Sequence, residues 1–368
     1  MQIKILKQNS LKYYIAMSHL TGVSPIFKAK LFEYFDFDIE RAFLCKKEDL
    51  ASFCDIYPNV PISRTFFQKR YEIDADLELE YAIKKGYKFL TYEDENYPQI
   101  LKEIPDFPLM LYYKGNLEEI NFSRTLAIVG SRRASESSKN ALAKIISGMK
   151  NSDITIVSGL AYGIDAQAHK SAIENNLKTV GIIGTGLDTI YPNSNKALYE
   201  KIENGCGVVM SEFPPKMPPL PHNFPQRNRI VTGLSFGTLV AEAAMKSGAM
   251  ISANLTLEQN RELMCMPGLI SNPNCEGIYH LLKNGAGMVT CADDVFDCLG
   301  WEMKQVEKEL VLNEKEKTIY NIISIEPKSF DIIAQEAEID LGELMVCLTQ
   351  MELQGLIKQT NSRYYISN

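Results

Sequence analysis

Long apolar runs are missing from this sequence of 368 residues. No stretch approaches the ~18 consecutive apolar residues that a membrane-spanning helix requires, and the first residues, MQIKILKQNSLKYY, lack the apolar core of a signal peptide. We therefore expect a cytoplasmic protein with no membrane association. The contents of 45% hydrophobic and 23% charged residues are ordinary for globular domains, which excludes wholesale disorder and coiled-coil rods.

Motifs of common cofactor and metal enzymes are also missing. The eight cysteines form no C-x-x-C pair and mostly lie in apolar runs such as ELMCMPG, so we interpret them as reduced core thiols rather than zinc ligands or disulfides. The sequence contains no G-x-G-x-x-G, no Walker G-x-x-x-x-G-K-[ST] and no H-E-x-x-H. NAD oxidoreduction, P-loop hydrolysis and zinc hydrolysis therefore lose their main support. We predict a protein without catalytic residues, cofactor or metal.

The net charge of −7 argues against a nucleic-acid binder only until the charge is counted by segment. Residues 121–300 carry 16 Lys and Arg against 15 Asp and Glu, whereas residues 308–368 carry 6 against 10. Two stretches, 120–135 and 213–241, contain arginines but no acidic residue. A local anion-binding site can therefore exist on this acidic protein.

Residues 1–90 show the apolar spacing of short helices, with a break at TGVSP. This break resembles a helix-hairpin-helix, in which a Gly-x-Gly turn presents N–H groups to a DNA phosphate. Gly22 is present, but Ser24 stands at the second glycine position, so we favour a plain packing hairpin between two helices. The following segment, up to LMLYYKG, is predicted to be a strand, a turn and an extended run that connect to the next domain.

From Thr125 to about Gly300, short β-rich runs alternate with helical stretches. Continuous apolar runs predict strands that are covered on both faces, hence a parallel sheet with helices on both sides, which is a doubly wound α/β fold. In such folds ligands bind at the carboxyl ends of the strands. The predicted strands are TLAIVG, ITIVSG, TVGIIG, GVVMSEF, GTLVAEA, ELMCMPG and GMVTC.

The C-terminal residues follow a charged stretch and contain three helical patterns and then two strands around a polar TNS turn. This order is typical of a winged helix. Its third helix has no Lys or Arg from Gly342 to Leu356, so we predict an interaction module rather than the main DNA-binding element. The chain thus divides into a helical domain (1–90), a connector with the doubly wound domain (91–300) and a winged-helix domain (308–368).

The turn VGSRR follows the first of the predicted strands and precedes a helix that starts near Glu136. Backbone N–H groups at this helix start, the Ser131 hydroxyl and the guanidinium of Arg132 or Arg133 can converge on one phosphate. After the third strand, GTGLD places two glycines where a phosphate can approach the backbone, although a tight strand-to-helix turn explains them equally well.

SGLAYGIDAQAH follows the second strand and opens a helix. His169 has no plausible nucleophile beside it in the sequence, and the whole chain has four histidines, so we predict a structural role for His169. Asp165 is predicted to cap the terminus of the helix rather than to act as a general base.

Prolines dominate the segment SEFPPKMPPLPHNFPQRNRIVTG, which predicts a semi-rigid extended loop across the top of the sheet. Its end places an aromatic ring, two amides and two guanidinium groups together: Phe224, Gln226, Arg227, Asn228 and Arg229. Single-stranded nucleic acid needs such a ring for base stacking, worth ~1–3 kcal/mol, and such cations for its backbone. Alternatively, the ring fills the core and the arginines form internal salt bridges. Glu242 is predicted to pair with one of these arginines.

Taken in order, VGSRR, SGLAYGIDAQAH, GTGLDTIYP, SEFPP, FPQRNR, EAAMKSGAMISA and MPG closely resemble the DNA-processing protein A (DprA, also called Smf) family. The helical N-terminus and the winged C-terminus resemble the commonest layout of that family. The resemblance implies a cytoplasmic bacterial protein that binds single-stranded DNA through an extended Rossmann-like domain. It also implies a homodimer that hands the strand to the RecA recombinase during natural transformation.

The resemblance also implies the strand-binding residues. The family's positions fall on Ser131, Arg132, Phe224, Arg227, Asn228 and Arg229, and less directly on Ser158, Gly159, Gly184 and Gly186. This sequence departs from the family at Gln226, where many members carry a basic residue, so that affinity is expected to be lower or to depend on Lys216.

Two other function classes stay open. GTLVAEA is similar to the G-T-x-x-E loop of the lysine-decarboxylase-like phosphoribohydrolases, which are nucleotide-processing enzymes, but Glu242 comes one residue later and the preceding P-G-G is missing. The other class is a pure protein-interaction scaffold, which the acid-free arginine segment disfavours.

Overall fold

The computed structural model describes residues 2–302, 313–325, 327–353, 356–360 and 363–366. They belong to two compact units, Met1–Val306 and Glu307–Asn368. The charged stretch 303–312 and the part of the predicted TNS turn at 361–362 lie outside the described residues. None of the described helices has the length and apolar character needed to cross a membrane. The predicted boundary near residue 90 falls inside the first unit, so a separate domain 1–90 stays a prediction.

Short helices open the first unit, as the spacing of apolar residues predicts. Side-chain caps start several of them: the Ser24 hydroxyl accepts a hydrogen bond from the Phe27 N–H, and Asp38, Ser63 and Asp74 act in the same way. The helices are α1 (Gln2–His19), α2 (Pro25–Tyr34), α3 (Ile39–Leu44), α4 (Phe53–Ile56), α5 (Arg64–Lys69) and α6 (Ala75–Lys84).

Polar groups at the break between α1 and α2 form hydrogen bonds within the protein. Gly22 adopts φ 76° in the turn, and the buried Lys28 ammonium donates to the carbonyls of Ser18 and Leu20 at the end of α1. With Ser24 occupied as a helix cap, this geometry supports the packing hairpin.

One mixed sheet organises the rest of the first unit, in the order β1-β2-β6-β5-β4-β3-β7-β8-β9. The last seven strands of this sheet, which run between residues 125 and 288, pair in parallel with their neighbours and confirm the seven predicted strands. The strands are β1 (Lys88–Thr91), β2 (Met110–Gly115), β3 (Thr125–Val129), β4 (Thr155–Ser158), β5 (Lys178–Ile182), β6 (Gly207–Ser211), β7 (Gly237–Val240), β8 (Glu262–Cys265) and β9 (Gly287–Met288).

The predicted connector is wrong in one respect, because its two extended parts join the sheet. β1 pairs antiparallel with β2, and β2 pairs antiparallel with β6, with Tyr112 opposite Ser211. Met110, Leu111 and Tyr112 are fully buried, so this hairpin covers the edge of β6 that would otherwise be open.

Helices cover both faces of the sheet, as the doubly wound prediction requires. Along β3, Ala127 and Val129 belong to one apolar cluster, whereas Leu126 and Ile128 belong to another. The period of two in a strand places these pairs on opposite faces. The helices after α6 are α7 (Gln99–Lys102), α8 (Glu136–Gly148), α9 (Ile164–Glu174), α10 (Lys196–Lys201), α11 (Asn223–Gly233), α12 (Gly248–Glu258), α13 (Glu276–Lys283) and α14 (Ala292–Leu299).

The strand order reverses next to β3. The chain leaves β3 towards β4 on one side and later returns to β7 on the other side. A crevice forms at such a switch point, at the carboxyl ends of the two strands. The turns after β3 and β7 therefore lie at the position where a ligand site is expected.

The second unit has the predicted winged-helix order. It contains α15 (Glu314–Ile325), β10 (Lys328–Ser329), α16 (Phe330–Ala337), α17 (Leu341–Leu353), β11 (Ile357–Thr360) and β12 (Arg363–Ile366). The strands pair antiparallel in the order β10-β12-β11. Its core contains Ile319, Ile333 and Leu348.

Candidate nucleic-acid interface

A cleft of about 760 Å³ opens at the switch point between β3 and β7. Its lining comes from the VGSRR turn (129–133), from the start of α12 (247–252) and from the segment 219–228. Among the described lining residues Asp165 is the one acid, whereas Arg132, Arg133 and Arg227 are basic. The charge of the cleft thus suits an anion, on a protein whose net charge is −7.

The VGSRR turn is held in a defined shape. The Ser131 N–H donates to the Glu242 carbonyl at 2.8 Å, and the Arg133 N–H donates to the Ser131 hydroxyl at 3.1 Å. The side chains of Arg132 and Arg133 are exposed at the cleft and form no ion pair with a carboxylate in the described part of the chain. The structure therefore brings together the predicted residues Ser131, Arg132 and Arg133 with two guanidinium groups free to bind phosphate.

The start of α8, by contrast, corrects two predictions. The Glu242 carboxylate is fully buried beneath it and accepts from the Ser135 N–H at 3.1 Å and from the hydroxyls of Ser135 and Ser138 at 2.7 and 2.8 Å. β7 lies next to β3 in the sheet, which carries Glu242 to the helix that follows β3. This helix start is thus occupied by a carboxylate and not by a phosphate site, and Glu242 pairs with serines instead of an arginine.

Asp165 and His169 lie on α9, which packs directly on the VGSRR turn. Gly163 precedes this helix at φ 75°, and a Cβ on it would lie 2.2 Å from the Ser131 carbonyl. The Asp165 carboxylate accepts from the Ala161 N–H at 3.4 Å, and burial raises its pKa although Arg227 opposes the shift. Burial lowers the pKa of His169 to about 3, and its Nδ1 lies 2.6 Å from the Thr179 hydroxyl. These contacts support structural roles for both side chains.

The segment of Phe224 and its neighbours is helical, so the predicted extended loop is wrong from residue 223 onward. α11 begins at Asn223 and carries Pro225 in its first turn, where a missing N–H costs no helical hydrogen bond. Arg227 is 3% exposed, and its Nη1 donates to the carbonyls of Gly159 and Ile182. It therefore lies under the floor of the cleft and uses part of its donors on the protein.

Arg229 is buried on a face of α11 that does not line the cleft, contrary to the prediction. It is 3% exposed, its Nη2 lies 2.6 Å from the Glu212 carboxylate, and its Nε lies 3.5 Å from that of Asp106. Arg229 does not line the cleft. Its position supports the alternative of an internal salt bridge and does not support the predicted phosphate contact.

Phe224 forms an aromatic wall of the cleft. The Arg132 guanidinium lies 5.2 Å from its ring centroid, and the Tyr191 ring lies 5.6 Å away on another side. A Cβ on Gly184 would lie 2.9 Å from Phe224 Cδ1, so the glycine makes room for the ring. Tyr191 is a site residue that the sequence analysis missed, although its position next to GTGLD was a usable signal.

Of the remaining predicted residues, some line the cleft or a recess beside it, and others are packed against the protein and do not reach the cleft. Asn228 lines the cleft, and Gly159 and Gly184 line a small recess beside it. Ser158 is buried and donates to the Ile128 carbonyl at 2.6 Å. Gly186 packs against the backbone of Pro214 and Pro215, which leaves no access for a phosphate.

Lys216 does not replace the missing basic residue at position 226. Its ammonium lies 3.9 Å from the ring centroid of Tyr81 on α6, and it is not part of the lining of the cleft. The expected dependence of affinity on Lys216 is thus unsupported by its position.

Comparisons with known proteins agree with this architecture. The model of the DNA recombination-mediator protein A family matches residues 88–300, and that of the DprA winged helix domain matches residues 303–361. The DNA processing protein DprA of Streptococcus pneumoniae is 42% identical over 231 residues, which are 62% of this chain and 80% of that protein. The X-ray structure of DNA processing protein A from Streptococcus pneumoniae superposes with a TM-score of 0.67 at 38% identity and covers 78% of this chain and 97% of that chain.

A second solved structure is that of DNA processing protein A from Helicobacter pylori, for which a single-stranded DNA binding mode is described. It superposes with a TM-score of 0.52 at 28% identity, over 58% of this chain and 95% of that chain. The family model alone spans more than half of the 368 residues. The chain therefore belongs to the DNA recombination-mediator protein A (DprA) family.

Proposed function

We propose that this protein binds single-stranded DNA in the cleft and loads the RecA recombinase onto it during natural transformation. The observation that carries the proposal is the juxtaposition of two unpaired arginines, Arg132 and Arg133, with the aromatic wall of Phe224 and Tyr191. Cations of this kind bind the phosphate backbone, and the rings accept a stacked base. The single-stranded DNA binding mode described for the Helicobacter pylori relative supports the DNA-binding part of the proposal.

The cleft favours a single strand over a duplex for a steric reason. Phe224 is partly buried between Arg132 and Gly184, so only a base that has left its stack can reach the ring. No described element with basic side chains is positioned as a recognition helix, since α17 carries no Lys or Arg. Duplex DNA would therefore contact the rim of the cleft through its phosphates alone.

Partners and location form part of the same proposal. We assign RecA as the protein partner, a homodimer as the working form and the cytoplasm as the location, as the family membership suggests. Leu269 and Ile270, in the loop after β8, are 66% and 91% exposed. Large apolar side chains exposed side by side are a feature of protein contacts, which supports self-association or binding of a protein partner.

A nucleotide-processing activity is disfavoured by the position of Glu242. The phosphoribohydrolase alternative needs this carboxylate at the ligand, whereas the Glu242 side chain is fully buried under α8 and bonded to Ser135 and Ser138. We therefore keep a non-enzymatic function in the proposal. Incubation with nucleoside monophosphates should release no free base.

The DNA-binding part is tested by fluorescence anisotropy with single-stranded and duplex oligonucleotides of equal length across a salt series. We expect tighter binding of the single strand and a log–log salt slope of about −0.7 per phosphate contacted. Arg132→Ala with Arg133→Ala should weaken binding. Arg64→Ala, which removes an exposed arginine from α5, serves as the matched control. Equal or tighter binding of the duplex would contradict the proposal.

The RecA part needs a separate measurement. RecA filament formation on single strands that are covered by a single-strand binding protein is followed with and without this protein. We expect faster filament formation with the wild type and a smaller acceleration with the Arg132 and Arg133 variant. No acceleration by a protein that binds the strand would remove RecA loading from the proposal and leave DNA binding in place.

A further inference from the structure

Four of the described helices begin at or beside the cleft, and different groups occupy their first turns. The start of α8 is neutralised by Glu242, and Asp165 stands in the first turn of α9. In α11 one backbone donor of the first turn is absent because residue 225 is proline. The first turn of α12 contains no acid, and Ser247 before it makes no side-chain cap.

The start of α12 is open to the cleft. Ser247, Gly248 and Ala249 all line it, and the first N–H groups of a helix have no partner within the helix. A Cβ placed on Gly248 would meet no atom within 4 Å, so space is free in front of these donors. The macrodipole adds a partial positive charge at the same place.

Ser252 supplies an independent indication of a ligand. It follows Gly248 by four residues, which places both on one face of α12 with the side chain directed towards the helix start. Ser252 is 2% exposed and borders the cleft, and no described residue forms a hydrogen bond with its hydroxyl. The buried hydroxyl oxygen of Ser247, directly before the helix, also has no partner among the described residues. A hydroxyl this buried normally has a partner, and the open space beside Gly248 is where a partner can lie.

Cationic and amide groups complete the surroundings. Arg133 lines the cleft with an exposed guanidinium, and Asn274 lines it beside α12. Neither side chain is paired with a carboxylate in the described part of the chain. This end of the cleft therefore offers hydrogen-bond donors and has no carboxylate among its described residues.

We infer that the start of α12 is a second phosphate subsite, formed by the N–H groups of Gly248 and Ala249, the Ser252 hydroxyl and the Arg133 guanidinium. It holds the phosphate that neighbours the one at Ser131 and Arg132 along the same strand. The inference rests on the proposed single-strand binding and refines it. A cleft with two phosphate subsites recognises a continuous strand rather than a mononucleotide.

Gly248→Glu tests the subsite, because the open space accepts the side chain while its carboxylate repels a phosphate at the helix start. We expect about a tenfold loss of affinity for single strands, the size of one charged hydrogen bond, and a salt slope that is smaller by about 0.7. Gly248→Gln introduces a side chain of the same size without the charge and should lose less affinity for single strands. Leu257→Glu adds the same charge at the other, exposed end of α12 and should bind like the wild type.

Ser252→Ala provides a second measurement that adds no charge. It should weaken strand binding by several fold, and its free energy of unfolding should not fall, since the hydroxyl has no partner in the described protein to lose. Wild-type affinity and salt slope in both Gly248→Glu and Ser252→Ala would overturn the subsite. An equal loss in Gly248→Glu and Gly248→Gln would overturn it as well, because bulk and not charge would then be the cause.

These outcomes differ from a failure of the proposed function. If the wild-type protein does not bind single strands, the proposed function fails before any variant is compared. If the wild type binds with the expected salt slope and both Gly248→Glu and Ser252→Ala bind equally well, only the second subsite is lost.

Discussion

Nη2 of Arg229 lies 2.6 and 2.7 Å from the two carboxylate oxygens of Glu212. This contact joins α11 to the segment that follows β6, and Asp106, at 3.5 Å from Nε, joins both to the chain before β2. Phe224 stands on the same helix as Arg229. The buried ion pair thus fixes the helix that presents the aromatic wall to the cleft.

The first prediction separates this role from DNA binding. Arg229→Ala should lower the free energy of unfolding by ~1–3 kcal/mol, because it leaves the partly buried carboxylates of Glu212 and Asp106 without their partner. Arg132→Ala should leave stability unchanged and weaken strand binding, since its guanidinium is exposed at the cleft. Urea unfolding and anisotropy on the same two proteins give both values. A stable Arg229→Ala protein that has lost DNA binding would show that Arg229 contacts the strand after all.

The second prediction concerns the aromatic wall. Phe224→Leu should reduce the affinity for single strands by ~1–3 kcal/mol, because a base loses the ring on which it stacks. Phe224→Tyr keeps the ring and serves as the control. Gly184→Ala should also weaken binding, because its Cβ would lie 2.9 Å from Phe224 Cδ1 and displace the ring. If Phe224→Leu and Phe224→Tyr bind equally well in anisotropy titrations, the ring is not a stacking surface.

The third prediction links the N-terminal helices to the cleft. Tyr81 on α6 donates to the Asp188 carboxylate at 2.6 Å, and Tyr87 donates to the same carboxylate. Asp188 ends the glycine loop against which Phe224 packs. Asp188→Asn should therefore increase hydrogen exchange of the amides of residues 184–188 and weaken strand binding moderately, although Asp188 does not line the cleft.

A matched control for this prediction is Asp55→Asn, which neutralises an exposed carboxylate of α4 in the same group of helices. Unchanged exchange in the glycine loop of Asp188→Asn would show that the two tyrosines do not position it. A gain of affinity without a change in exchange would point to a direct electrostatic effect instead, because the variant removes a negative charge.

The sequence predicted those parts of the molecule that depend on local patterns. Continuous apolar runs identified β3 to β9, because a strand buried on both faces has no polar alternation. VGSRR was assigned to the site because strand-end turns meet at a switch point. Tyr191 and the start of α12 were missed, since neither carries a charge that distinguishes it in the sequence.

The errors have a common physical origin in long-range contacts. Glu242 lies 107 residues from Ser135, and only the neighbouring positions of β3 and β7 bring it under α8. The prolines before residue 223 suggested an extended chain up to Arg229, whereas Pro225 falls in the first turn of α11, where proline is compatible with a helix. The burial of Arg229 depends on two acids, at positions 106 and 212, from separate segments.

The fourth prediction follows from His169, whose pKa is lowered by burial from the usual 6.5 to about 3. The folded protein keeps this imidazole neutral, so the unfolded chain takes up an extra proton as the pH falls below about 6.5. Stability should fall with decreasing pH between about 6 and 4, by ~1.4 kcal/mol per pH unit for this residue. His169→Asn should remove that part of the slope in urea unfolding. An unchanged slope would mean that His169 is protonated in the folded state.

The last prediction concerns the winged-helix unit, which we propose to be an interaction module. On α17, Leu344, Leu348 and Met351 form the core, so Leu348 is not part of an exposed face, whereas Met345 and Val346 are each 64% exposed.

The net negative charge of the unit disfavours DNA binding. Residues 308–368 hold 10 acidic against 6 basic side chains, and Lys315 is paired with Glu343 on α17 at 2.6 Å. A phosphate backbone is therefore repelled where winged helices usually dock. Deletion of 308–368 should leave both the affinity for single strands and its salt slope nearly unchanged, because the cleft lies in the first unit. Met345→Glu in the full-length chain should likewise bind DNA normally while weakening RecA loading or self-association. Loss of most strand binding in a folded truncation would show instead that the second unit holds the DNA.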